Sequence, residues 1–123
     1  SFEANRGQMS AQVQFLARSH GYRLYLTPTE TVMSLGQKQQ RATVKMKLLG
    51  ANAQAVVRGQ DQLPGVSNYF LGNDPTKWRT NVPHFAQVKY EQVYPGVDLV
   101  YYSKDRQLEY DFIVAPGVNP AVI

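Results

Sequence analysis

The sequence predicts an all-β domain, either an antiparallel β-sandwich or a strongly curled sheet of about eight or nine short strands. Three observations predict it. Eight Tyr, five Phe and one Trp stand among many Val, Leu and Thr, residue types that fit a half-buried pleated surface. Apolar and polar residues alternate with a period of two in short stretches separated by Gly, Pro, Asn and Asp. No stretch of useful length carries a helical period.

The opening residues 2–8 are polar and lead into a first strand over residues 13–18, where Val13, Phe15 and Ala17 share a face. His20-Gly21 is a turn signal, and Tyr22, Leu24 and Leu26 face one way in the next strand, which makes a hairpin. Pro28-Thr29 breaks the chain before a short strand over residues 31–35, and residues 36–41 form a polar loop. Val44, Met46 and Leu48 point inward with Lys45 and Lys47 outward, the alternation of a sheet with one wet face. Residues 51–57 read as a weak strand, 58–65 as a loop, and 68–71 as a brief strand ending in the turn Asn73-Asp74-Pro75. Residues 76–83, with the single Trp, lack a period and read as an ordered connection. Strands follow at 85–93 and 97–102, with Tyr94-Pro95-Gly96 as the turn between them. A bend at Ser103-Lys104-Asp105 leads to a last strand, where Leu108, Tyr110, Phe112 and Val114 share a face.

At 123 residues, 43% hydrophobic and 18% charged, the chain is one domain with enough apolar surface to bury a core. Thirteen Lys and Arg against nine Asp and Glu give a net charge of +4, but the basic residues are scattered, which excludes an electrostatic nucleic-acid footprint. The absence of Cys excludes disulfides, thiolate metal sites and cysteine nucleophiles. No apolar run is long enough for a membrane span, so membrane insertion is not expected, and any export signal must lie outside residues 1–123. Ala121-Val122-Ile123 reads as a strand just starting, so both ends are expected to be cuts in a longer multidomain protein.

Several longer motifs occur in order along almost the whole chain: Phe2-Glu3-Ala4-Asn5-Arg6-Gly7-Gln8, Phe15-Leu16-Ala17-Arg18, Ser67-Asn68-Tyr69-Phe70-Leu71-Gly72-Asn73-Asp74-Pro75, Trp78-Arg79-Thr80-Asn81-Val82-Pro83, Tyr94-Pro95-Gly96-Val97-Asp98-Leu99-Val100-Tyr101-Tyr102 and Leu108-Glu109-Tyr110-Asp111-Phe112. Together they resemble the domain of unknown function found near the N-terminus of bacterial SBBP-repeat proteins. The resemblance implies an extracytoplasmic module of a large surface or secreted bacterial protein, with propeller-type repeats as neighbouring domains. It also implies that the strand beginning at Pro120 continues beyond Ile123. It carries over no catalytic residue.

Few residues can do chemistry. His20 and His84 lack a partner at ligand spacing and read as a turn residue and a strand-start residue. Glu109 and Asp111 lie two apart on one strand, and Asp98 on the preceding strand can face them. These three are the candidates for a paired-carboxylate glycosidase site, or else a solvated face whose acids pair with Arg79, Lys104 or Arg106. Asn73, Asp74 and Asp98 are candidate oxygen ligands for Ca²⁺, but no acidic loop with ligands at alternating positions is present, and no other cofactor is expected. Trp78, Arg79, Tyr69, Tyr101 and Tyr102 are the ligand-binding candidates, because sugar-binding surfaces set flat rings beside hydrogen-bonding groups. Of Tyr101 and Tyr102, one must face the core and one solvent. Phosphate-loop and Gly-x-Ser-x-Gly motifs are absent.

The function expected is therefore a non-catalytic extracellular structural or adhesion module acting on glycans, surface proteins or neighbouring domains. One alternative is a carbohydrate-active enzyme fragment using Asp98, Glu109 and Asp111. Another is a self-assembling subunit that pairs through an exposed strand edge, either at Val122-Ile123 or at the N-terminal strand.

Overall fold

The computed structural model describes residues 1–19, 21–37 and 40–123. Its strands are β1 (Phe2–Ala4), β2 (Phe15–Ser19), β3 (Tyr22–Leu26), β4 (Thr31–Gln37), β5 (Gln40–Met46), β6 (Val56–Tyr69), β7 (Arg79–Tyr94), β8 (Val97–Lys104) and β9 (Gln107–Val114). Two 3-10 turns, Pro75–Lys77 and Pro120–Val122, are the helical elements among the described residues. All pairings are antiparallel, in the order β5-β4-β3-β2-β1-β7-β8-β9, with β6 paired to β7 off that path. The sheet is strongly curled, a half-barrel.

Its plan follows from β7. Phe85 lies opposite both Gln62 of β6 and Phe2 of β1, and Val88 lies opposite both Gly59 of β6 and Tyr101 of β8. A strand has two edges, so β6 holds one edge of β7 while β1 and β8 share the other. Two arms therefore leave β7 on the same side, one through β1 to β5 and one through β8 to β9. They curl until their inner faces meet in a core of Phe2, Phe15, Leu24 and Leu26 from the first arm with Val88, Tyr90, Leu99 and Tyr101 from β7 and β8. Phe15 and Phe85 pack edge to face at 5.9 Å across the junction. Tyrosine hydroxyls then tie the arms together. Tyr90 donates to the Thr27 carbonyl at 2.6 Å, the Tyr101 and Thr31 hydroxyls share a 2.5 Å bond, and Tyr94 donates to the Leu49 carbonyl at 2.8 Å. Each contributes apolar area while its one polar atom stays satisfied.

The structure departs from the sequence reading in several places. Phe2–Ala4 is a strand and sits in the middle of the sheet, although a three-residue strand containing Glu3 has no readable alternation. Residues 58–65, expected as a loop, belong to β6, which runs unbroken to Tyr69. Pro64 and Gly65 fall at an irregularity between Gln62 and Val66, shortly after Asp61 at φ 58°, and do not end the strand. Residues 79–83, expected as connection, begin β7. The polar loop at 36–41 is shorter than expected, since β4 reaches Gln37 and β5 starts at Gln40. The last hairpin turns at Asp105-Arg106, both at positive φ as a two-residue type I′ turn requires, and not at Ser103-Lys104-Asp105. Pro120–Val122 is a 3-10 turn capped by the Asn119 side chain, not the start of a strand. The turn expected at His20 falls on a residue outside those described.

At Gly59 the missing side chain is required by a close approach. A Cβ there would stand 2.5 Å from the Phe85 ring, which lies over the bare backbone. Gly59→Ala is expected to cost about 1–3 kcal/mol through overpacking. Gly65→Ala, where a Cβ meets nothing within 4 Å, is expected to be close to neutral. Urea midpoints of the two variants check both expectations.

Candidate functional site

The β6–β7 ribbon ends in an apolar tip. β6 stops at Tyr69, the chain turns through Asp74 and the 3-10 turn, and β7 begins at Arg79, directly opposite Tyr69. Trp78 packs edge to face on Phe70 at 5.1 Å and donates its indole N–H to the Gly72 carbonyl at 3.0 Å, which fixes the ring. Phe70 is 61% exposed and Leu71 47%. The tip thus presents Phe70 and Leu71 to solvent, with the half-buried Trp78 ring against Phe70 and the Arg79 guanidinium beside it. Arg79 donates to the Trp78 carbonyl at 3.0 Å and lies over Gly7, whose φ of +107° and missing Cβ leave room for it.

The tip is anchored on a buried carboxylate. Glu3 is 2% exposed, on the face of the sheet away from the main core, in the cross-strand row His84, Glu3, Leu16. Tyr69 donates to its Oε2 at 2.6 Å and Gln8 donates to the same atom at 3.0 Å. Oε1 faces Arg18 at 3.6 Å and His84 Nε2 at 3.5 Å. Ser67 lies 2.6 Å from that nitrogen, and Ser1 lies 3.0 Å from His84 Nδ1. Burial alone would raise the Glu3 pKa. The Tyr69 and Gln8 hydrogen bonds and the charges of Arg18 and His84 outweigh it, so the carboxyl titrates below its ordinary value. Burial and the adjacent Glu3 push the Tyr69 hydroxyl up, so it stays protonated and donates.

The other sequence candidates are dispersed. Tyr101 is the core-facing member of its pair and forms, with Tyr90 and Leu99, the floor of a pocket of ≈ 270 Å³ at one end of the half-barrel. Met46, Leu48 and Val93 line the pocket, and Glu30 and Lys47 stand on it as well. Both tyrosine hydroxyls are already bonded, so the floor of this pocket offers apolar contact while its rim carries polar side chains. Tyr102 faces outward, where its bond to Asp111 raises the phenol pKa. Asp98 accepts from the Gln92 backbone N–H at 2.8 Å and pairs with Lys89 at 3.4 Å. Asp98, Glu109 and Asp111 share the outer face of β8 and β9, and none of them lines the pocket floored by Tyr101. The arrangement is that of a solvated face, with Lys89 taking the place expected of Arg79, Lys104 or Arg106. Asp74 accepts from the backbone N–H and hydroxyl of Thr76, which holds its pKa low and caps the 3-10 turn. Among the described residues no three acidic or imidazole side chains converge. No helix among the described residues is long and apolar enough to cross a membrane.

A family model for a domain of unknown function, DUF7948, matches residues 2–123. The chain belongs to that family. Neither the curated proteins nor the solved structures contain a match. In this DUF7948 domain the structure brings Tyr69, Trp78 and Arg79 together, as three of the five ligand-binding candidates, and separates Tyr101 and Tyr102 from them. Sequence reading missed Phe70 and Leu71, because it placed both in a strand. The clue was their position immediately before Gly72-Asn73-Asp74-Pro75, where the chain must already be turning.

The Glu3 carboxyl sets a pH dependence. A folded-state pKa below the unfolded value means that its stabilisation is complete above the ordinary carboxylate pKa, about 4.3, and is lost as pH falls through the lower folded value. Glu3→Gln is expected to be less stable than wild type at pH 7, with the difference shrinking below pH 4. Thermal melts of both proteins from pH 7 to pH 2.5 check this.

Proposed function

We propose that this domain is a non-catalytic extracellular module of a large bacterial surface or secreted protein, making adhesion-type contacts through the tip of the β6–β7 ribbon. The observation that carries the reading is the rigid aromatic pair of exposed Phe70 and half-buried Trp78, backed by a guanidinium at the end of a ribbon anchored on Glu3. Flat rings held in one geometry lose little entropy on binding and stack on the apolar face of a sugar or on another protein's side chains. The resemblance to the N-terminal domain of SBBP-repeat proteins supports an extracytoplasmic location, with propeller-type repeats as neighbours. Glycans are the ligand class this surface fits best, since ring and guanidinium together supply stacking and hydrogen bonding.

A glycan array probed with the purified domain and with Trp78→Ala tests the reading. Binding to a defined set of glycans, weakened in the variant by about 2 kcal/mol or roughly thirty-fold, is expected for a central aromatic anchor. Wild-type binding unchanged by Trp78→Ala would place the contact elsewhere on the domain.

A further inference from the structure

The ribbon tip lies at the Arg79 end of β7, and the pocket floored by Tyr90, Leu99 and Tyr101 lies toward the other end of that strand. There the β3–β4 turn and the segment after β5 stand over the inner faces of β7 and β8 without closing on them, and a space of ≈ 270 Å³ remains. An apolar cavity of about 150 Å³ holds one benzene ring. This pocket therefore has room for a ring and a short tail, and for little more. Its lower walls suit a ring. Tyr90 and Tyr101 meet edge to face at 5.9 Å, and the flexible Met46 thioether lines the space beside them.

The rim carries charge of both signs. Glu30 and Lys47 both line the pocket. Thr31 and Met46 are the cross-strand partners at one end of the β4–β5 ladder, so Glu30, just before Thr31, and Lys47, just after Met46, are neighbours where that ladder ends. Even so, neither forms an ion pair with a described residue. An apolar floor thus lies below an adjacent carboxylate and ammonium, each with its charge unanswered.

We propose that this pocket binds a free aromatic α-amino acid of about the size of phenylalanine. The ring enters between Tyr90, Leu99 and Met46. The head stays at the rim, where its ammonium meets Glu30 and its carboxylate meets Lys47. An α-amino acid carries both charges on one carbon, which matches two rim charges that are themselves neighbours. Other classes match less of the site. A hydrocarbon answers neither charge, and an amine or an acid alone answers one. A sugar sets hydroxyls against a floor whose own tyrosine hydroxyls are already spent on Thr27 and Thr31. The site is independent of the ribbon tip, so the domain holds a small-molecule pocket in addition to the contact surface proposed for it.

Titrations of the domain followed by amide chemical shifts test this with four probes: phenylalanine, phenethylamine without the carboxylate, 3-phenylpropionate without the amine, and alanine without the ring. Phenylalanine is expected to saturate and to move amides around Met46, Leu48, Tyr90 and Leu99. Phenethylamine and 3-phenylpropionate are each expected to bind about three-fold more weakly, the share of one solvent-reached charge pair. Alanine is expected to cause no saturable shift. Lys47→Gln is expected to remove the advantage over phenethylamine alone, and Glu30→Gln the advantage over 3-phenylpropionate alone, a crossed pattern that a general loss of structure does not produce. Leu48→Trp, which fills the pocket, is expected to abolish binding with an unchanged circular dichroism spectrum. If that variant misfolds, the two rim variants carry the test. No saturation by phenylalanine, equal affinity for the three ring compounds, or shifts centred on Phe70 and Trp78 would overturn the proposal.

Discussion

The fold depends on one strand serving three neighbours. Because β6 pairs along one edge of β7 from Arg79 to Glu91, β1 and β8 must share the other, and the two arms that follow them cannot continue as one flat sheet. Curling is the outcome, and it brings the inner faces of β2 and β3 over β7 and β8. Sheets twist in any case, but the irregularities along β7 and its partners direct the bend. Asn81 and Gln92 sit at positive φ, and the β7–β8 ladder shifts register between Tyr90 and Tyr94. The Tyr90, Tyr94 and Tyr101 hydroxyls then hold the first arm and the following loop to this spine by bonds to Thr27, Leu49 and Thr31.

The second constraint is electrostatic. An ionised carboxylate at 2% exposure is tolerable only when its charge is answered and its lone pairs are used. At Glu3 this draws in Gln8, Arg18, Tyr69 and His84 from four separate stretches of chain. One of them, Tyr69, is the last residue of β6, so the same bond that satisfies a buried carboxylate also fixes the base of the projecting tip. A tip that were free to swing would lose the entropic advantage of presenting rings in one geometry. Anchor and contact surface are thus mechanically linked.

Much of this was legible in the sequence. The β2, β3 and β9 segments alternate cleanly, and the residues expected to share a face do so, with Phe15, Ala17, Leu24 and Leu26 inward, whereas for β8 the pattern left open which of Tyr101 and Tyr102 faces the core. What could not be read is long-range. Phe2-Glu3-Ala4 has no pattern of its own and becomes a strand because β2 and β7 flank it. Residues 58–65 look like a loop because Gly59, Pro64 and Gly65 are poor strand formers, yet Gly59 is there to accommodate Phe85 from the neighbouring strand. The site was half legible for the same reason. Trp78, Arg79 and Tyr69 drew notice as residue types, but that they converge, and that Phe70 joins them, depends on a ribbon whose two halves lie ten or more residues apart.

The central claim, that β7 is the spine on which both arms depend, is tested most directly by native-state amide hydrogen exchange at a dilution where the domain is monomeric. The account predicts that amides in the part of β7 flanked on both sides, around Val88 and Tyr90, exchange only through global unfolding, while those of β5 and β9 exchange earlier through local opening. Amides of β7 exchanging as fast as those of β5 and β9, or ahead of them, would contradict it.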